Sequence, residues 1–285
     1  NVDSAYHEFA ARKFFDNMGG FGAGLGGTGK SHVERRLVEL FEEAGYYHYD
    51  RRGNNVSDVK ICAYTHTAVA NCISLANHDA KTAMHLLHRY QKQATHKMAI
   101  ILDEASMIPL SMWGAFAMLR SMGHIFIIMG DFEGQFLPIQ DQHRMHLLKD
   151  LDKSDFMHDL CNGLHITLNK FRRRDGDKPS DYAHFQFVSQ IYPNYNVPLQ
   201  SARTWARIQY EAKGSIFTGT TLCVTHRCRI QVNAEVNNAL ARTDSVFVPA
   251  VYRNKTDANQ PQDMRVWKGI VLMARCGSKE KHLKN

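Results

Sequence analysis

Short apolar runs separated by helix-patterned and polar stretches organise the first part of the chain. The runs are VKICAYT, ending at Thr65, MAIILDEAS, whose apolar part closes on two acids, HIFIIMGD, which closes on one, and GLHITLNKFRR, which closes on a basic cluster. Ahead of the first run, Val33, Leu37, Leu40 and Phe41 recur at helical spacing, and a second helical region follows Thr65 through about Tyr90. Apolar runs alternating with helices predict an α/β domain with a parallel sheet. RRGNNVSD reads as a polar turn, and KFFDNMGG, ahead of the glycines, makes a poor strand. RRDGDKPSD, polar and carrying Pro179, reads as a linker, so the expected organisation is a first domain over 1–175 and part of a second over 176–285. In the second part, SIFTGTTLCVTHRCRIQVNAEVNNAL predicts a strand then a helix, and MRVWKGIVLMARC a strand pair around Gly269. No internal repeat or low-complexity tract is present.

The stretch GGFGAGLGGTGKSHVERRLVELF, Gly19 to Phe41, overlaps two phosphate-binding patterns. Gly22, Gly24 and Gly27 fit G-x-G-x-x-G, whereas Gly24, Gly29, Lys30 and Ser31 fit G-x-x-x-x-G-K-[ST]. A dinucleotide site needs an acid at a strand end about 20 residues on. Glu42 and Glu43 stand at that distance but continue the helix. A triphosphate site needs Lys30 as a point charge on the β- and γ-phosphates and Ser31 as a hydroxyl for magnesium, and both are present. Gly24, Gly26, Gly27, Thr28 and Gly29 are then the loop whose backbone N–H groups approach phosphate, with no Cβ in the way at the glycines.

Ligands of open parallel sheets sit at the carboxyl ends of the strands, where the other polar candidates also fall. Asp103, after MAIIL, is placed to hold Mg²⁺, and Glu104 to polarise an attacking water. Asp131 and Gln135 follow the next run, and a Gln there can sense the γ-phosphate. Arg172 is either a charge stabiliser for that phosphate or part of a solvated basic face.

Composition adds less. The chain has 285 residues, 44% hydrophobic and 10% aromatic, enough for a packed core and unlike a disordered protein. A net charge of +7 suits a phosphate-rich partner without locating a patch, and 16 histidines would raise it under mild acid. No apolar run reaches the roughly 18 residues of a membrane span, and no secretory signal opens the chain. The six cysteines have no zinc-like pairing and read as reduced structural thiols, pointing to an intracellular compartment. A chain opening on NVDSAYHEF without Met and closing on KEKHLKN reads as a fragment.

Taken in order, these motifs resemble superfamily-one DNA helicases of the RecD, Dda and PIF type, including viral relatives. GLGGTGKS looks like their Walker A and IILDEASM like their Walker B. AYTHTAVA is similar to a segment contacting single-stranded DNA through a Thr, here Thr65, and KTAMHLL to the T-x-H segment, with Thr82 and His85 near the strand. GDFEGQFLP resembles G-D-x-x-Q-L-P with one residue more, putting Gln135 in the sensing role, and LNKFRR resembles the segment that carries an arginine finger, here Arg172. TLCVTHRCRIQVN is similar to the opening of the second RecA-like domain, with Asn233 in a family-typical place.

The resemblance covers about residues 14 to 276. It implies a RecA-like P-loop NTPase domain and part of a second, ATP and Mg²⁺, and movement on single-stranded DNA driven by closure of two domains around the γ-phosphate. Trp113, Trp205 and Trp267 are candidates for stacking on bases, with the core as the commoner fate of tryptophan. An RNA helicase of the same superfamily, a non-translocating P-loop module and an inactive truncated copy remain open. So do a nuclear or a viral replication site. The upstream Gln that usually reads adenine has no equivalent, since the first Gln is Gln91, and two late motifs are also absent.

Overall fold

The computed structural model of the chain describes residues 2–76, 78–90, 96–132, 134–135, 138, 141, 147–148, 150–169, 226–251 and 262–270, with single residues at 198, 200–201, 204, 208 and 223. It divides into two compact units, Asn1–Ala202 and Arg203–Asn285. Among the described residues no helix is long and apolar enough to cross a membrane.

In the first unit, helix α1 (Val2–Asp16) precedes strand β1 (Gly20–Ala23), the glycine-rich loop and helix α2 (Lys30–Glu43). A hairpin follows, β2 (Tyr47–Tyr49) against β3 (Asn55–Ser57), so RRGNNVSD is a hairpin turn running into a strand and not turn alone. Then come β4 (Val59–Ala63), α3 (His66–Ala76), β5 (Ala80–Thr82), α4 (Ala83–Tyr90), β6 (Ala99–Asp103), α5 (Leu110–Ser121), β7 (Ile125–Gly130), α6 (Asp155–Leu160) and β8 (His165–Thr167). Six strands form one sheet in the order β5-β4-β6-β7-β1-β8, and every pairing in it is parallel. The predicted α/β class with a parallel sheet is the observed one.

The apolar runs are explained by burial on both faces of the sheet. Alternate residues of a strand point to opposite faces. Ile61, Ile101, Ile127 and Met129 pack against α1, α2 and α3, through Phe14, Leu37 and Cys72 among others. Cys62, Ile100, Leu102, Phe126 and Ile128 pack against α4, α5 and α6, through Leu86, Trp113, Phe116 and Met157. A strand with both faces covered reads as an unbroken apolar run.

KFFDNMGG, a poor strand by sequence, is none: its first four residues end α1, and the strand before the loop is GFGA. A Cβ at Gly20 would lie 2.1 Å from the Phe14 ring, so the strand gives up a side chain to let α1 seat its phenylalanine. Two expectations need correction. VKICAYT leaves the sheet at Ala63, two residues before Thr65, and the helical region to Tyr90 is split by β5, whose three residues AKT carry no apolar run.

The second unit, taken by itself, shows helix α7 (His226–Leu240), β9 (Val246–Val248) and β10 (Met264–Val266). β9 and β10 pair antiparallel, so MRV is a strand with VFV as a partner, and the second strand expected after Gly269 lies outside the described residues. The Asn237 amide clamps the strand to the helix: Nδ2 donates to Arg265 O at 2.8 Å and Oδ1 accepts from Arg265 N at 2.7 Å. The predicted helix is present; the strand expected before it, apart from Cys223, and the linker RRDGDKPSD lie outside the described residues.

Candidate nucleotide-binding site

β1 ends at Ala23 and α2 begins at Lys30, so the loop Gly24–Gly29 sits at the carboxyl edge of the sheet. It is tied down locally. Gly24 N donates to Gly130 O at 3.2 Å, and the buried Thr28 donates through Oγ1 to Leu25 O at 2.8 Å. Gly26 is exposed, and Gly27 and Gly29 have φ of 90° and 94°, the left-handed region that side chains disfavour. A Cβ at Gly29 would also stand 2.2 Å from His7 Nε2, because α1 lays His7 on the loop, its ring stacked on His32 at 5.6 Å. Gly29→Ala therefore meets both strain and a clash. We expect at least about a tenfold loss of nucleotide affinity in an equilibrium titration; parent-like affinity would show that the loop's shape is not needed.

α2 has no acidic residue in its first turn, so the positive end of its dipole is not neutralised there. Ser31 lies in that turn, half-buried. Lys30 Nζ donates to Gly24 O at 2.6 Å and Leu25 O at 3.2 Å. Burial lowers its pKa, and the charges of Asp131, Asp103, Glu34 and Glu104 pull it back up. The lysine and the Asp103–Glu104 couple, about 70 residues apart in sequence, thus share one electrostatic neighbourhood at one sheet edge.

Asp103 is the last residue of β6 and is buried; its Oδ1 accepts from Glu104 N at 2.8 Å, its Oδ2 from Cys72 Sγ at 3.3 Å. Glu104 turns the chain with φ 48°, unusual for a residue with a side chain. Burial, helped by Asp103, raises the Glu104 carboxyl above its ordinary range and Lys30 opposes the shift. That direction suits a group that must take a proton near neutrality. Ser106 Oγ donates to Gln135 Oε1 at 2.6 Å, so the extra residue in GDFEGQFLP does not carry Gln135 away from this loop. Asp131 Oδ1 accepts from Gly134 N at 2.6 Å and shapes the same turn. Arg172 lies outside the described residues.

The residues matched to strand contact sit at the ends of β4 and β5. Thr65 Oγ1 accepts from Ala68 N at 3.1 Å and Thr82 Oγ1 from His85 N at 3.3 Å, so both threonines cap helices. His85 is exposed. Trp113 is no stacking platform: it is 2% exposed, its Nε1 donates to Ile108 O, and its ring meets Phe116 and Phe156 edge-on. Trp267 is half-buried in the second unit, where Asn233 Nδ2 also donates to Gln262 Oε1 at 3.4 Å; Trp205 lies outside the described residues.

Two residues at this edge escaped the reading of the motifs. Cys72 is one, Glu34 the other. Glu34 falls on the apolar stripe of α2, four residues after Lys30 and three before Leu37, and that misplaced charge was the available signal. It is fully buried, and burial together with the charge of Asp103 holds its carboxyl well above the ordinary value of 4.5. The folded chain thus keeps a proton that the unfolded chain releases as pH rises past 4.5. Stability is highest below that value and falls until the folded carboxyl itself ionises. Glu34→Gln is therefore expected to raise the thermal midpoint more at pH 8 than at pH 4; an equal change at both would contradict this.

The site fits a magnesium triphosphate. The loop has room only for backbone at Gly29, Lys30 supplies charge, and Ser31 and Asp103 supply the hydroxyl and carboxylate that a hard cation takes.

Residues 15–154 match a family model described as AAA domain. No curated protein matches the chain. Among solved structures, Pif1 helicase from Candida albicans aligns with a TM-score of 0.54 at 17% identity, over 91% of this chain and 62% of that one. Pif1 helicase from Bacteroides, in complex with ADP-AlF3 and ssDNA, aligns with a TM-score of 0.49 at 16% identity, over 90% and 62%. The chain thus spans less than two thirds of the length of these structures. Residues 15–154 are thus similar to the AAA-domain family, and the fold of the chain is similar to that of the Pif1 helicase from Candida albicans.

Proposed function

We propose that the chain is the ATP-hydrolysing part of a motor on single-stranded DNA, a helicase or translocase whose second RecA-like domain is represented in part by residues 176–285. The observation that carries this is the shared charge environment of Lys30, Asp103 and Glu104 at the carboxyl edge of a parallel sheet. The order of the motifs and the Pif1-like fold support the same reading.

Lys30 exchanges its bonds to Gly24 O and Leu25 O for oxygens of the β- and γ-phosphates. The N–H groups of Gly24, Gly26, Gly27, Thr28 and Gly29 line the phosphate chain. Ser31 and Asp103 would hold Mg²⁺, which when bound would supply charge to screen the phosphates. Glu104 takes the proton of the water whose oxygen attacks the γ-phosphorus, as the bond to the β–γ bridging oxygen breaks. Gln135, held by Ser106, reports on the γ-phosphate, and Arg172 stabilises its charge. A triphosphate that binds the closed arrangement more tightly than the open one drives the cycle. Thr65, Thr82 and His85 contact the strand.

The test is ATP hydrolysis by the chain with and without oligonucleotides. Single-stranded DNA is expected to stimulate it, with an effect that weakens steeply as salt rises. Stimulation by single-stranded RNA alone would move the assignment to the RNA helicases, and hydrolysis indifferent to both would leave a nucleotide-binding module and overturn the motor.

A further inference from the structure

Glu34, Cys72 and Asp103 come from three elements, α2, α3 and β6, and converge behind the nucleotide site. One ligand atom from each lies within 4.8 Å of the other two, and all three residues are buried. Glu34 is 0% exposed, and its oxygens make no hydrogen bond of good geometry among the described residues, although the Asp103 carboxylate stands close enough to share a proton with it. Two buried carboxyls with at most one shared proton between them are costly, and such groups are normally fully hydrogen-bonded or bound to metal. Its neighbours are a second carboxylate and a thiol, and the thiol already points its proton at Asp103 Oδ2.

We propose that Glu34, Cys72 and Asp103 form a binding site for a thiophilic divalent cation, zinc being the type, and that its occupation closes the nucleotide site by engaging Asp103. The donor set decides the class. Two carboxylates and a thiolate suit zinc or cobalt, whereas magnesium takes oxygen alone in octahedral geometry. Three protein ligands leave a fourth tetrahedral position for water. On binding, Cys72 passes its thiol proton to solvent and any proton on Glu34 follows it. The cation offsets the ligands' negative charge, which the charge of Lys30 already opposes in part. Asp103 cannot hold this ion and magnesium in the same geometry, so the two compete. Only that competition rests on the nucleotide-site reading; the metal site stands without it.

The test is titration of the full chain with Co²⁺ alone, with Cys223, Cys228 and Cys276 changed to serine so that thiols of the second half cannot contribute. The expected result is one equivalent bound with a near-ultraviolet thiolate-to-cobalt band, bleached by Zn²⁺. Cys72→Ser should abolish the band, and Glu34→Gln should weaken binding by about tenfold or more. Excess magnesium with ATP should diminish the band. No band on protein that melts cooperatively, or a band undiminished in Cys72→Ser, would overturn the site. Should Cys72→Ser not fold, Glu34→Gln decides, since full affinity in that variant contradicts the tripod equally.

Discussion

Lys30→Ala should abolish ATP hydrolysis together with tight nucleotide binding, whereas Glu104→Gln should abolish hydrolysis and still hold ATP. The two residues share an electrostatic neighbourhood but have different tasks. Lys30 is a positive side chain that feels the carboxyls of Asp131, Asp103, Glu34 and Glu104. Without it, a polyanion would enter a cluster of acids and lose the charge that the loop itself directs at the β- and γ-phosphates. Glu104→Gln keeps the shape and removes one negative charge, so binding should hold or tighten while the proton acceptor is gone. A positioned general base contributes about 10²–10⁴-fold, and a loss in that range is the expected readout. Binding by fluorescent nucleotide and hydrolysis by phosphate release separate the two variants. Equal loss of binding in both would contradict the roles.

Phe14→Ala should cost about 3–5 kcal/mol, the range for emptying a large aromatic site in a core. Phe14 is fully buried at the end of α1 and lies over Gly20 so closely that no other residue fits there. It joins α1 to β1 and α2 in one apolar cluster. Whole domains have only about 5–15 kcal/mol in hand, so the variant should lose a large share of the denaturant midpoint. Because α1 also lays His7 on the glycine loop, nucleotide affinity should fall in the same variant. An unfolding free energy within about 1 kcal/mol of the parent's would show that α1 is an appendage.

Which parts of this architecture the sequence reveals depends on how each part is stabilised. β6 and β7 are legible because burial on both faces demands apolar side chains at successive positions, and AIILD and IFIIMG supply them. β1 is hidden because close packing against Phe14 demands glycine in the strand, and glycine signals loop. β5 is hidden because three residues, AKT, are too few for a period. α1 has its apolar residues spread around the helix: Phe14 is buried while Phe9 is 56% exposed under Lys13, so no clear stripe results. At the site, Lys30, Asp103 and Glu104 are legible because phosphate and metal chemistry fix both residue type and spacing. Glu34 and Cys72 are not, since they meet Asp103 only through the packing of α2 and α3 on the sheet. Yet a glutamate on an apolar stripe is a visible anomaly, and here it marks a polar centre inside the fold.

The most direct measurement is a crystal structure of the chain with magnesium and a non-hydrolysable ATP analogue. The account predicts that Lys30 Nζ leaves Gly24 O and Leu25 O for the γ-phosphate, with the metal between Ser31 and Asp103 and the Glu104 carboxylate facing the γ-phosphorus. A nucleotide bound elsewhere, or Lys30 still on its loop carbonyls with the analogue present, would contradict it.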